Sequence, residues 1–249
     1  MRLDPGGLRG AVFDTDGVLT DTASLHAAAW QRLFDEFLAE RAGEPGTQPF
    51  DPVSDYLAYI DGRSREDGAA AFLASRGLEP SSGSASGRAA ALRELTDHKD
   101  RYFLRLLRRQ GPRPYPSSLD FVRSLRGHGV PCAAVSASRN CREVLRRAGI
   151  EALFTVRVDG VDAARLALPG KPDPAVFLEA ARRLGSPPDR TLLVEDALAG
   201  VRAARSGGFR PIVALDRGAG PVALAGCGAD LVVRDLAEIT LGVGPADRP

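Results

Sequence analysis

Six short apolar runs rich in Val, Leu and Ala recur along the 249 residues, at 8–13, 130–135, 154–158, 191–194, 211–215 and 230–233, each bounded by turn residues. Such near-continuous apolar runs predict strands buried on both faces. Between them lie segments with helical patterning, at 118–127, 140–149, 174–185 and 197–207. Strand and helix in alternation predict an α/β fold, a doubly wound and mostly parallel sheet covered by helices on both sides. Ligands in such sheets bind beyond the carboxyl ends of the strands, so the residues that close each run are where chemistry is expected.

The first run breaks this rhythm, because nothing strand-like follows it until residue 130. Instead 22–40, 65–76 and 88–110 read as helices, with Leu25, Ala29, Leu33 and Phe37 at helical spacing. They predict an inserted helical cap domain over 21–113, between two parts of one core domain, 1–20 and 114–249. The connections are expected at 20–23 and at the Pro-rich 111–116, with surface loops at 43–52 and 79–87 and a flexible Ser/Gly stretch at 81–87.

The overall balance of charge narrows the partners. Lys and Arg total 33 against 32 Asp and Glu, a formal charge of +1. No general field attracts nucleic acid or an anionic membrane, so any anion site is local. Hydrophobic residues make up 44%, enough for a real interior. Cys132, Cys141 and Cys227 lack metal-ligand spacing and suit buried thiols in a reducing compartment, and no stretch is long and apolar enough to span a bilayer. The expectation is a soluble, cytoplasmic protein, its oligomeric state open.

Asp14 and Asp16 stand where the first run stops and Gly17 permits a turn. Side chains two apart on a strand point the same way, so the two carboxylates converge while Thr15 points away from them. Such a pair suits phosphoryl transfer, one carboxylate attacking phosphorus and the other moving a proton to or from the substrate oxygen. Anionic nucleophile and anionic phosphate repel. A divalent cation offsets this, and Glu195 and Asp196, at the end of run 191–194, supply hard oxygen ligands suited to magnesium. Taken one at a time, each acid reads equally well as a helix cap. Ser136 ends run 130–135 and opens the turn Ser136-Ala137-Ser138-Arg139-Asn140, whose hydroxyl and helix-start amides suit a phosphate oxygen or, more plainly, an N-terminal cap. Lys171 is held between Gly170 and Pro172, where a fixed ammonium balances charge on nucleophile and phosphate.

In order, Asp14-Thr15-Asp16-Gly17-Val18, Ser136, Lys171 and Glu195-Asp196 resemble the four motifs of the haloacid dehalogenase superfamily, and the helical insertion is similar to its four-helix type of cap. The resemblance implies that Asp14 is the nucleophile, Asp16 the general acid and base, and Ser136 and Lys171 phosphate ligands. It implies magnesium bound by Glu195 and Asp196 with the two aspartates Asp14 and Asp16. Within the superfamily, Thr20-Asp21-Thr22-Ala23, His26, Trp30, Ser64-Arg65-Glu66-Asp67 and residues 136–140 resemble the β-phosphoglucomutases. That likeness implies substrate contacts from Thr22, His26, Trp30, Arg65, Ala137, Ser138, Arg139 and Asn140, with His26 governing Asp16 and Arg65 holding the distal phosphate of a bisphosphate. On residue type alone His26 and Trp30 read as core, and Arg65 as a solvated helix residue. The chain departs from the family at Thr15, usually leucine, at Arg139, usually lysine, and at His98-Lys99, where a lysine-asparagine pair is usual.

The implied activity is a magnesium-dependent sugar phosphomutase interconverting hexose 1- and 6-phosphates, with a sugar phosphate phosphatase as the alternative. Two other readings are weaker. Gly218 to Ala223 faintly resembles a dinucleotide fingerprint, but too little chain follows for a second half. A catalytically silent relative finds no support in a chain that retains every core group.

Overall fold

The computed structural model describes residues 1–80 and 84–242. The chain divides into two compact units, one made of Met1–Asp21 with Pro112–Pro249 and the other of Thr22–Gly111.

In the first unit the strands are β1 (Arg2–Leu3), β2 (Gly10–Asp14), β3 (Cys132–Val135), β4 (Val156–Val158), β5 (Thr191–Glu195), β6 (Ile212–Leu215), β7 (Leu231–Val233) and β8 (Thr240–Leu241). Six of them form one parallel sheet in the order β4-β3-β2-β5-β6-β7, while β1 and β8 pair separately. Each apolar run supplies one strand of the large sheet. Alternation then divides every strand between two cores. Ala11, Phe13, Cys132, Ala134, Leu192 and Val194 face Leu119, Phe121, Val122, Leu125 and Leu145. Val12, Ala133, Val135 and Leu193 face Phe177, Ala180, Ala181, Val201 and Ala204. The covering helices are α4 (Pro116–Gly127) and α5 (Cys141–Arg147) on the first side, with α7 (Ala175–Leu184) and α8 (Leu198–Ser206) on the second. Cys132 and Cys141 are buried free thiols, and burial pushes the Cys132 thiol up to about 12 and the Cys141 thiol upward as well.

Two helices of this unit are silent in the apolar pattern. Helix α6 (Gly160–Leu166) buries no residue and starts because Asp159 accepts from the amides of Val161 and Asp162. Helix α9 (Pro221–Gly226) begins on Pro221, whose fixed φ suits the first helical position. The amides of Gly218 and Gly220 just before it both donate to Asp216 Oδ1 at 3.0 Å. They are spent on their own turn rather than offered to a pyrophosphate, so the dinucleotide reading has no cradle here.

The second unit holds α1 (Ala23–Ala39), α2 (Arg65–Ser75) and α3 (Ala85–Gln110), with a π-helical segment, Tyr56–Ile60, as its fourth helical piece. Its core gathers Trp30, Leu33, Phe34, Phe37, Phe50, Ile60, Phe72 and Leu73. The expected loops change in two respects. Phe50, expected in a surface loop, is buried against Phe34 and Phe72. The expected flexible stretch 81–87 gives way to helix from Ala85, because Ser84 caps α3 by accepting from Gly87 N; residues 81–83 of that stretch lie outside the described residues. Among the described residues no helix is long and apolar enough to cross a membrane.

Candidate active site

The carboxyl ends of β2, β3 and β5 lie side by side, and the expected core residues of the first unit meet there. Asp14, the last residue of β2, is buried; its Oδ1 accepts from Lys171 Nζ at 2.6 Å and its Oδ2 from the amide of Asp16 at 2.9 Å. Asp16 Oδ2 accepts from Ser136 Oγ at 2.8 Å, which joins the β2 turn to the end of β3. Lys171, 4% exposed, also donates to Glu195 Oε1 at the end of β5 and lies 4.8 Å from the Phe177 ring centroid. The other oxygen of Glu195 accepts from the amides of Asp196 and Ala197, both at 2.6 Å.

Two glycines make room for the acids. A Cβ on Gly17, which has φ +86°, would lie 1.8 Å from Asp196 Oδ2. Asp196 can therefore close on the β2 turn only where residue 17 has no side chain. Gly200 stands in the same relation to Glu195.

Four acids, Asp14, Asp16, Glu195 and Asp196, stand beside one ammonium, so acidic groups are in surplus. Burial raises the Asp14 carboxyl; Lys171 opposes this, Glu195 and Asp16 add to it, and the carboxyl is pushed up to about 8. Burial works against the Lys171 ammonium, but Asp14 and Glu195 outweigh it and hold its pKa above the usual lysine range. The shifts are compatible because one ammonium is shared between two carboxylates. Among the described residues no group of three or more His, Cys, Asp or Glu side chains could hold a metal ion. A small hard cation instead takes one or two carboxylates together with waters and substrate phosphate oxygens. The oxygen-only donors, and the excess of carboxylates over the one ammonium among them, fit such an ion.

The turn 136–140 is more self-contained than its sequence indicates. Ser136 Oγ accepts from Ser138 N at 3.0 Å, and Ser138 Oγ from Asn140 N at 3.1 Å. Two of the amides expected to be open to phosphate are thus used internally. Gly160 N donates to Ser138 O at 3.1 Å, and a Cβ on Gly160 would lie 2.7 Å from Ala137 O, so α6 braces this turn. Arg139 is exposed.

In the helical unit, Thr22 is buried at the start of α1 and accepts from His26 N through its carbonyl. His26 stacks on Phe103, centroids 3.9 Å apart, with its Nδ1 2.6 Å from Lys99 Nζ. Trp30 stacks on Phe34 within the core. Arg65, in the first turn of α2, donates to Glu66 at 3.0 Å and to Asp97 at 2.8 Å.

Sequence reasoning passed over two residues. Lys99, noted only as a departure, is buried between Trp30 and Phe103, 5.1 Å from each ring centroid. Arg217 donates from Nε to Gly17 O at 2.9 Å while its guanidinium lies 4.1 Å from the Tyr115 ring centroid. Its place just beyond the end of β6 was the available signal.

Residues 8–208 match the family model described as haloacid dehalogenase-like hydrolase. A Mycobacterium tuberculosis protein named beta-phosphoglucomutase is 43% identical over 242 residues, covering 94% of this chain and 92% of the relative. A Thermotoga maritima phosphorylated carbohydrates phosphatase is 31% identical over 206 residues, covering 82% and 84%. Among solved structures, beta-phosphoglucomutase from Clostridium difficile superposes with a TM-score of 0.72 at 24% identity, covering 93% and 92%, which supports the fold. The chain belongs to the haloacid dehalogenase-like hydrolase family and is an enzyme of it, a phosphotransferase or phosphatase related to the β-phosphoglucomutases.

Proposed function

We propose that the chain is a sugar phosphomutase of the β-phosphoglucomutase kind, moving a phosphoryl group between the 1- and 6-oxygens of a hexose through an aspartyl phosphate on Asp14. The supporting observation is the paired strand-end acids. Asp14 is in contact with a buried ammonium, and Asp16 is turned to a hydroxyl at the neighbouring strand end.

In this reading an Asp14 oxygen bonds to phosphorus as the phosphorus–sugar oxygen bond breaks, and the sugar oxygen takes a proton from Asp16. Asp16, now a carboxylate, accepts the proton of the free hydroxyl of a hexose monophosphate as that oxygen attacks the aspartyl phosphate, which forms the hexose bisphosphate and frees Asp14 to take the other phosphate from it. Lys171 keeps positive charge beside Asp14 throughout, and Ser136 orients Asp16 and a phosphate oxygen. Magnesium is the assigned cofactor; among Asp14, Asp16, Glu195 and Asp196, one or two would hold it directly and the others through water, and it would supply charge neutralisation between carboxylate and phosphate. Arg65 is assigned to the second phosphate, with Thr22, His26, Trp30, Ala137, Ser138, Arg139 and Asn140 to the sugar and its surroundings.

The test is incubation of hexose 1-phosphates with magnesium, with and without a hexose bisphosphate primer, followed by separation of products. Isomerised phosphate that depends on primer supports the mutase. Free sugar and inorganic phosphate alone would transfer the site to the phosphatase reading, which the Thermotoga maritima relative favours.

A further inference from the structure

Thr15 lies between the two aspartates and its side chain points away from them, which on strand geometry removes it from the chemistry. It is fully buried. Its Oγ1 donates to Val135 O at 2.9 Å and lies 3.5 Å from Cys141 Sγ. Val135 immediately precedes Ser136, and Ser136 Oγ in turn donates to Asp16 Oδ2. Two consecutive residues at the end of β2, Thr15 and Asp16, are therefore bonded by side chains to two consecutive residues at the end of β3, Val135 and Ser136. The Thr15 carbonyl also accepts from the amides of Leu19 and Thr20 and from Thr20 Oγ1, so the same residue organises the turn that carries Asp16.

We infer that Thr15 is a positioning residue for Asp16: its hydroxyl fixes the end of β3 against the β2 turn, and so sets where Ser136 holds the Asp16 carboxylate. The inference rests on the proposed role of Asp16 as the group that moves the proton. The two bonds act in series across adjacent peptide units. The β2–β3 ladder ends at the Asp14–Val135 pair, and past it the Thr15 bond adds a fixed tie to the Ser136–Asp16 contact, which is one between two side chains that can rotate. Cys141 contributes no charge here, since burial pushes its thiol upward. A leucine at this position would fill space without offering a donor, so this chain secures the proton-moving carboxylate by a device specific to a hydroxyl.

Thr15→Val removes the donor and keeps the branched shape, whereas Thr15→Ser keeps the donor and removes the methyl. Single-turnover formation of the aspartyl phosphate is measured with a hexose phosphate, whose leaving oxygen needs a proton, and with 4-nitrophenyl phosphate, whose leaving oxygen does not. In Thr15→Val the hexose reaction is expected to slow about 10-fold with KM within about 2-fold, and several-fold more than the nitrophenyl reaction. Thr15→Ser is expected to restore most of the hexose rate. Thermal unfolding is recorded alongside, because a buried carbonyl that loses its donor costs stability in either case.

A role confined to stability predicts a lower melting temperature with equal rates per folded molecule, and that result overturns the inference. Equal slowing on both substrates also overturns it, since the defect would then lie in phosphate binding or attack rather than in proton delivery. If Asp16→Ala retains wild-type turnover on the hexose phosphate, the reading of the site fails first, independently of either Thr15 variant.

Discussion

Gly200, in the first turn of α8, faces Glu195 so closely that a methyl on it would lie 1.8 Å from the Glu195 Oε1 that accepts from Lys171. Glu195 has no room to yield, being fully buried with its other oxygen on two amides. Gly200→Ala is expected to displace Glu195 from Lys171 and destabilise the protein by about 3–5 kcal/mol, the cost of breaking a buried ion pair on one side. Chemical denaturation measures the loss, and turnover per folded molecule should fall with it.

Asp14 gives the folded protein a distinctive response to pH. Its carboxyl is raised by burial and by the nearby acids to about 8, against 3.8 as the ordinary value. Between those values the folded state holds a proton that the unfolded chain has released. Stability contributed by this group therefore falls as pH rises across that window and levels off above it. In metal-free protein, the stability difference between Asp14→Asn and wild type is expected to grow from pH 4 to pH 8 and then flatten. A difference that shrinks over this range rules the assignment out. Magnesium that favours the carboxylate should release a proton on binding at pH 7 and none at pH 9.5, as read by calorimetry in buffers of different ionisation enthalpy.

Lys171→Met keeps much of the stem's volume while removing the ammonium between Asp14 and Glu195. Two buried carboxylates then face each other without compensation, and the Asp14 carboxyl should move further up. The expected result is loss of turnover by at least about 100-fold, the scale of removing one preorganised electrostatic contact from a dry site. Partial recovery at higher pH, where the carboxylate is regained, distinguishes this from misfolding.

Arg217→Ala removes the donor to Gly17 O and the cation stacked on Tyr115. A loss of about 1–2 kcal/mol in urea unfolding is expected, with Arg217→Lys recovering less than half because a lysine lacks the planar fork. No change in either variant would show the contact to be dispensable.

The sheet is legible because its inner strands β2, β3, β5 and β6 are buried along their whole length and so announce themselves as apolar runs, while the half-buried edge strands β4 and β7 still show through their Val and Leu residues. The acids are legible because they stand where those runs end. Helix α6 is not, since it buries nothing and no apolar stripe marks it. The onset of α3 is obscured by Ser84, Ser86 and Gly87, residues that elsewhere signal a loop, although here Ser84 accepts from Gly87 N as a cap. The direction of Glu195 is hidden for another reason. A carboxylate at a strand end reads as a cation ligand, and only the folded chain shows it accepting from Lys171 and two amides. Lys99 is comparable: a lysine in a helix is ordinarily solvated, and its burial beside His26 depends on aromatic neighbours from two helices.

The placing of β2 between β3 and β5 carries a consequence for how the enzyme comes into being. Asp14 is synthesised before the helical unit, whereas β5, which pairs with β2, is made only after that unit and β3 and β4 have emerged. A pairing between such distant stretches raises contact order and slows closure of the chain. On the ribosome the early strand waits without its neighbour, its acids exposed to water and without the ammonium that will later hold them. The cluster at the strand ends is thus completed late, and a chain truncated before residue 191 would contain Asp14 and Lys171 but lack Glu195, the second carboxylate that Lys171 joins.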